Sequence, residues 1–311
     1  MNNVLLYLIT VFIWGATWLA IKFQLGVVAP ELSIAYRFAI ASVLLFIFSF
    51  VRRLSLRFDW RAHGFMALQG LLLFSLNYIM VYMAEVYLTS GLVAIIFSML
   101  IIMNVIFGAI LLHNPIRLGV VIGATVGLCG LTLVFWPELS SFDLSSALAL
   151  GLILAFMGAM SASLGNIVSA RNQAHRLPII QTNAFGMAYG AAFMLVLALF
   201  RGAKLEFDPS VGYVVSLLYL AVFGSVIGFG SYLTLLGRIG PDRAAYVTVL
   251  FPVIALILST LFEGMTWSLL QLAGVALVIL GNVIVLTKIR VLKLPRWFEG
   301  HSAGERGEQD C

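Results

Sequence analysis

Residues 82–113 run YMAEVYLTSGLVAIIFSMLIIMNVIFGAILLH. One apolar stretch ends, four residues connect, and a second apolar stretch follows in full. The same layout returns 150 positions later, at 232–263, as YLTLLGRIGPDRAAYVTVLFPVIALILSTLFE. Working outward from these passages places an odd number of apolar stretches between them. If each stretch crosses a membrane, the two passages cross in opposite directions, and the chain is two inverted copies of one unit.

Composition requires the membrane. Of 311 residues, 62% are hydrophobic and 10% charged, and the mean hydropathy is +1.08. Soluble domains carry about 25% charged residues, so this chain cannot cover a water-facing surface. A crossing helix needs about 20 apolar residues, and ten segments qualify: 4–21, 31–51, 64–84, 89–111, 117–135, 146–169, 179–200, 213–236, 243–261 and 268–287. The ten-residue alternation of a membrane β-barrel is not seen. The sequence therefore predicts an all-α membrane protein of ten transmembrane helices, built as two inverted five-helix repeats over 1–136 and 146–290, with a polar tail over 291–311. The run 4–20 lacks a cationic leader and contains Trp14 and Trp18, which predicts a retained first helix rather than a cleaved signal.

Lys and Arg placement sets the orientation. Fourteen cations fall on one side: Arg52, Arg53, Arg57, Arg61, Arg117, Arg171, Arg176, Arg238, Arg243 and five in the tail. Only Lys22, Arg201 and Lys204 fall on the other. Both termini are expected in the cytoplasm, with the chain multi-pass in the cytoplasmic membrane. The halves also share identities. At an offset of 150, Ser75, Tyr82, Ala94, Leu100 and Leu111 meet Ser225, Tyr232, Ala244, Leu250 and Leu261; after a one-residue slip, Leu118, Gly123 and Gly130 meet Leu269, Gly274 and Gly281. Inverted repeats are a recurring transporter design, with the binding site near mid-membrane between them.

Four short motifs carry a family resemblance: WGATW at 14–18, YRF at 36–38, LTSGLVAIIFSML at 88–100 and FEG at 262–264. Over roughly 4–287 the chain resembles EamA-type members of the drug/metabolite transporter superfamily. The resemblance implies a secondary transporter that exports small metabolites, such as amino acids, by alternating access. One departure stands out. Family halves commonly close their fourth helix with an acidic turn, which the second half keeps at Glu263 while the first has His113-Asn114-Pro115.

Several polar residues are candidates for the transported solute or its gates. Arg37 lies about six residues inside the second span, where a charge is costly and functional by default. It could pair with Glu31 or Glu85, or meet an anionic group of the substrate. Lys22, Glu31, Glu85 and Glu263 all sit at outer helix ends and are the expected partners of gating ion pairs. Tyr78, Tyr82 and Glu85 follow i, i+4, i+7 on one stripe of helix three, extended by Ser75 with Asn77 beside it. Phe229 and Tyr232, with Ser225, form the comparable stripe on helix eight. Trp14 and Trp18 share a face of helix one, Asn166 lies among small residues, and Ser98 and Thr248 are related by the repeat. These are the expected lining of a cavity for a small amphipathic solute, against the alternatives of interfacial aromatics and helix packing. Pro252 can kink helix nine, which with helix four would make a gating pair. Asn104, Asn183 and Asn282 suit cross-helix hydrogen bonds. Gly123/Gly127, Gly186/Gly190 and Gly224/Gly228 have the spacing of close-packing faces, within the bundle or in a dimer.

Other classes find little support. His63, His113, His175 and His301 are scattered at cytoplasmic ends, so no metal site is expected, and no nucleotide-binding loop is present. No cofactor and no nucleic-acid partner are implied; the expected partners are a small-molecule substrate and membrane lipid, with the chain a monomer or homodimer. The rival readings are a membrane-embedded enzyme on a lipid-linked substrate, which lacks a nucleophile or acid/base pair at one depth, and a drug- or nucleotide-type transporter of the same superfamily.

Overall fold

The computed structural model describes residues 2–88, 93, 96–116, 118–134, 136, 140, 146–251, 253–254 and 268–286, the side chains of residues 18, 19, 22, 146, 282 and 286 excepted. The described elements are helical. They are α1 (Asn3–Lys22), α2 (Pro30–Val51), α3 (Trp60–Glu85), α4 (Leu100–Leu112), α5 (Leu118–Val134), α6 (Ser146–Ala174), α7 (Ile179–Phe200), α8 (Val211–Ile239), α9 (opening with Pro241–Ala244 and helical again over 247–251) and α10 (Leu269–Leu286). Five of these, α2, α3, α6, α7 and α8, are long and apolar enough to cross a membrane over their described residues. The outer part of the ninth span and the tail lie outside the described residues.

Local chemistry sets the ends. Asn2, Asp59 and Ser210 accept N-cap hydrogen bonds from Val4, Ala62 and Tyr213, satisfying orphan N–H groups of the first turn. Pro30 and Pro241 occupy first-turn positions, where the missing N–H costs nothing. α4 stops at His113, which adopts a left-handed conformation and bonds back to Gly108. Two helices outrun expectation. α3 starts at Trp60 because Asp59 caps it. α6 continues past 169 because Ser169, Asn172 and Gln173 find partners inside the bundle: Asn172 donates to Gln69 at 3.1 Å, and Gln173 bonds Ser169 and the Leu233 carbonyl.

The two halves pack with one pattern. α2 lies along α7 and α5 along α10, each helix against its own repeat counterpart. α3 packs on α6, and α8 packs correspondingly on α1. Bulk-free contacts follow the same exchange. A Cβ on Gly130 would stand 2.7 Å from the Gly274 carbonyl, and one on Gly123 would stand 2.7 Å from the Gly281 carbonyl. Exchanging the halves turns one contact into the other, and small residues are what allow such close backbone approach. The three Gly-x-x-x-Gly pairs are all used inside the bundle, against α9 and α10, α3, and α1 respectively.

One feature has no sign in the hydropathy pattern. α3 contains a π-helical segment at Leu72–Leu76 and α8 another at Leu220–Ile227. At the 150 offset the first falls within the second. Ser75 donates to the Gly70 carbonyl and Ser225 to the Leu220 carbonyl, both five residues back and both at 3.0 Å. Such π segments mark functional sites more often than chance, and the first contributes Leu73 to the cavity described below.

Candidate substrate cavity

Between the halves lies a cavity of about 650 Å³, counting the space at its mouth. α1 supplies Trp14 and Thr17, α3 supplies Asn77 and Tyr78, and α6 supplies Asn166. Phe229 and Tyr232 come from α8, Thr248 and Phe251 from α9, and Phe97 and Leu100 from the start of α4. α2 also contributes, through Arg37. Few polar groups on an apolar lining suit orientation-specific binding of a small solute.

Arg37 is only 1% exposed. Its Nε donates to Ser225 at 2.9 Å, its Nη2 to the Tyr78 hydroxyl at 3.3 Å, and its carbon end stacks 4.6 Å from the centre of the Tyr78 ring. Nη1 is buried and has no hydrogen-bond partner. Neither expected carboxylate takes it. Glu31 instead pairs with Arg201 at 2.6 Å, and Glu85 makes no ion pair with Arg37 among the described residues. A guanidinium so placed is chemically suited to an anionic acceptor.

Glycines on α8 let this arrangement form. A Cβ on Gly228 would lie 2.6 Å from Trp14 Nε1, and one on Gly224 would lie 3.1 Å from Arg37 Nη2. Trp14 uses the gap to donate to the Gly224 carbonyl, inside the π segment, at 3.2 Å. Its ring meets Phe229 at 5.0 Å and Tyr232 at 4.9 Å, and Phe74 meets Phe229 edge-on at 5.0 Å. This aromatic wall fixes the apolar side of the cavity.

Two amides add polar groups to the lining. Asn77 donates to the Leu73 carbonyl at 3.3 Å, which fixes its orientation and leaves Oδ1 buried without a partner. Asn166 donates to the Tyr232 hydroxyl at 2.9 Å, and its Oδ1 is likewise buried and unpartnered. Thr248 bonds back to its own helix at the Ala245 carbonyl, and Ser98 donates to the Thr248 carbonyl at 3.2 Å.

Of the residues the sequence singled out, the structure gathers Trp14, Arg37, Asn77, Tyr78, Asn166, Phe229, Tyr232 and Thr248 around one space. Tyr82 is buried behind the lining, within electrostatic reach of Arg37 and Glu85. Ser98 is buried too and ties α4 to α9 rather than facing the cavity. Pro252 and Glu263, and the side chains of Trp18 and Lys22, lie outside the described residues. Thr17, Phe97 and Phe251 also line the space; in the sequence they are ordinary apolar-helix residues and carry no distinguishing signal.

Toward the end at which α1 begins, a polar layer closes under the cavity. Asn104 donates to the Pro241 carbonyl at 2.9 Å and accepts from Ser163 at 2.6 Å. Gln69 bridges Asn172 and Asn183. The expected cross-helix roles of Asn104 and Asn183 are thus filled; Asn282 lies outside the described side chains. Among the described residues, no three His, Cys, Asp or Glu side chains group to hold a metal ion.

This architecture has known relatives. A solved structure superposes with a TM-score of 0.73 over 91% of this chain and 96% of its own, at 19% identity, which speaks to the fold alone. The uncharacterized inner membrane transporter YedA of Escherichia coli K12 is 27% identical over 275 residues, 88% of this chain and 87% of its own length. The uncharacterized transporter YvbV of Bacillus subtilis 168 is 27% identical over 299 residues, 94% of each chain. Protein PagO of Salmonella typhimurium LT2 is 24% identical over 260 residues, 84% of each. The profile of the EamA-like transporter family matches twice, over residues 1–136 and 149–287. The chain is therefore a multi-pass membrane transporter and belongs to the EamA-like transporter family.

Proposed function

We propose that this transporter exports a small zwitterionic metabolite of amino-acid type, through alternating access of two inverted halves around the central cavity. The observation that carries the reading is the set of buried, unpartnered polar atoms belonging to residues of the cavity lining. Arg37 Nη1 is a buried donor with fixed positive charge, and Asn77 Oδ1 and Asn166 Oδ1 are buried acceptors. A carboxylate satisfies the first and an ammonium the other two, and buried polar groups are normally satisfied. A single cation fits one carboxylate better than the multiple charge of a nucleotide. The aromatic wall of Trp14, Phe229 and Tyr232 would hold the apolar part of the solute.

The excess of Lys and Arg at one end supports cytoplasmic termini and a cavity entered by rocking one half on the other. Helices α4 and α9 would move together, because Ser98 holds Thr248 and Asn104 holds Pro241. Liposomes containing only this chain provide the test. Labelled amino acids should enter saturably and be displaced by unlabelled amino acid, with nucleotides and cationic drugs giving no comparable uptake, in runs with and without a pH gradient. Uptake of cations or dianions alone would overturn the reading.

A further inference from the structure

A second, larger space lies outside the substrate cavity, between α1, α8, α9 and α10, with a volume of about 1440 Å³ counting its mouth. It is a lateral cleft. Its rim is exposed, formed by Val4, Leu8 and Phe12 of α1 and Ile279 and Val283 of α10. Its floor is buried, formed by Tyr7, Val11, Leu235 and Val253. In a chain that crosses a membrane, such a rim faces hydrocarbon, and a cleft lined this way attracts an acyl chain.

Two further observations narrow the occupant. The first is length. From Val4 to Phe12, α1 rises about 12 Å, close to half of the ~30 Å hydrocarbon core, so the cleft is about one leaflet deep. The second is charge. At the end where α1 and α9 begin, the cleft is lined by Asn3 and Arg243. Arg243 Nε is buried and has no hydrogen-bond partner. The neighbouring Asp242 is not among the cleft's lining residues and lines a separate small pocket with Asn104 and Pro115. Arg238 adds a second cation at this mouth by donating to Asn3 at 3.2 Å. Guanidinium groups bind phosphate through paired, charge-assisted hydrogen bonds, and basic residues at a membrane surface favour anionic lipids.

We propose that the cleft is a binding site for one anionic phospholipid, with its phosphate on Arg243 and one acyl chain between α1 and α10. The lipid fills the seam where the first helix meets the last two, and so couples occupancy of the leaflet to packing between the halves.

Native mass spectrometry of the purified full chain tests this with two probes of identical acyl chains, phosphatidylglycerol and phosphatidylcholine. The expected result is one phosphatidylglycerol retained about tenfold more strongly than phosphatidylcholine, which at about 1.4 kcal/mol is one well-made charged contact. Arg243→Gln should bring phosphatidylglycerol down to the phosphatidylcholine level. Leu8→Trp, placed on the exposed rim so that folding is undisturbed, should fill the cleft and weaken both lipids. Equal retention of the two lipids by the unaltered protein overturns the proposal, and that comparison needs no variant. So does unchanged retention in both variants. A chain ending at residue 287 that binds lipid when the full chain does not would assign the cleft to the C-terminal segment and also overturn it.

Discussion

Replacing Arg37 by Met should lower transport of an amino acid by at least about 30-fold, and by up to a few thousand-fold, with the protein still folded. The range follows from the cost of about 2–5 kcal/mol for removing one partner of a buried, hydrogen-bonded charge pair, at about 1.4 kcal/mol per tenfold. Folding should survive because exchanging a buried ionic group for an apolar one of similar size is often neutral or stabilising. Arg37 is held by Ser225 and Tyr78 and by no carboxylate among the described residues, so its removal strands no opposite charge. Arg37→Lys should recover little. An ammonium cannot hold Ser225, Tyr78 and a substrate oxygen in one plane, whereas a guanidinium can. The check is initial-rate transport in liposomes at matched protein incorporation. Near-normal rates for Arg37→Met would remove Arg37 from the substrate site.

Asn77→Leu should act on a different part of the solute. Among the described residues the Asn77 side chain makes one hydrogen bond, to Leu73 one turn back, so a near-isosteric apolar side chain leaves the helix intact. Its unpartnered oxygen is what the substitution removes. Losing a hydrogen bond to a charged group costs about 1.5–3 kcal/mol, so the KM for an amino acid should rise roughly 10- to 100-fold. Competition by the corresponding carboxylic acid without its amino group should change little. Equal losses for both solutes would show that Asn77 supports the cavity wall rather than the ammonium.

The sequence made some of this legible and not the rest, for identifiable reasons. Membrane crossing and the repeat could be read because lipid imposes long apolar runs, and because Ser75/Ser225 recur at an offset of 150 and Gly130/Gly281 at 151. Arg37 stood out because a charge inside a span is rare. Its partner did not, since Ser225 lies 188 positions away in the other half and only packing of α2 against α8 brings them together. Glu31 looked equally suitable from its position in the first turn of α2, yet Arg201 at the end of α7 reaches it first. The π segments could not be read at all. They coincide with Ser75 and Ser225 bonding carbonyls five residues back, and a serine in an apolar helix gives no sign of which carbonyl it will take. Tyr78 and Tyr82 share a stripe, but only Tyr78 lines the cavity, while Tyr82, one turn on, is buried in the surrounding core.

The central claim is that Arg37 receives the substrate carboxylate. Equilibrium binding to the purified protein tests it most directly, using an amino acid and its carboxamide, which differ only in that charge. The unaltered protein should prefer the amino acid by at least about tenfold, and Arg37→Met should abolish the preference by weakening the amino acid alone. An amino acid and carboxamide bound equally by the unaltered protein, or a preference that persists in Arg37→Met, would contradict it.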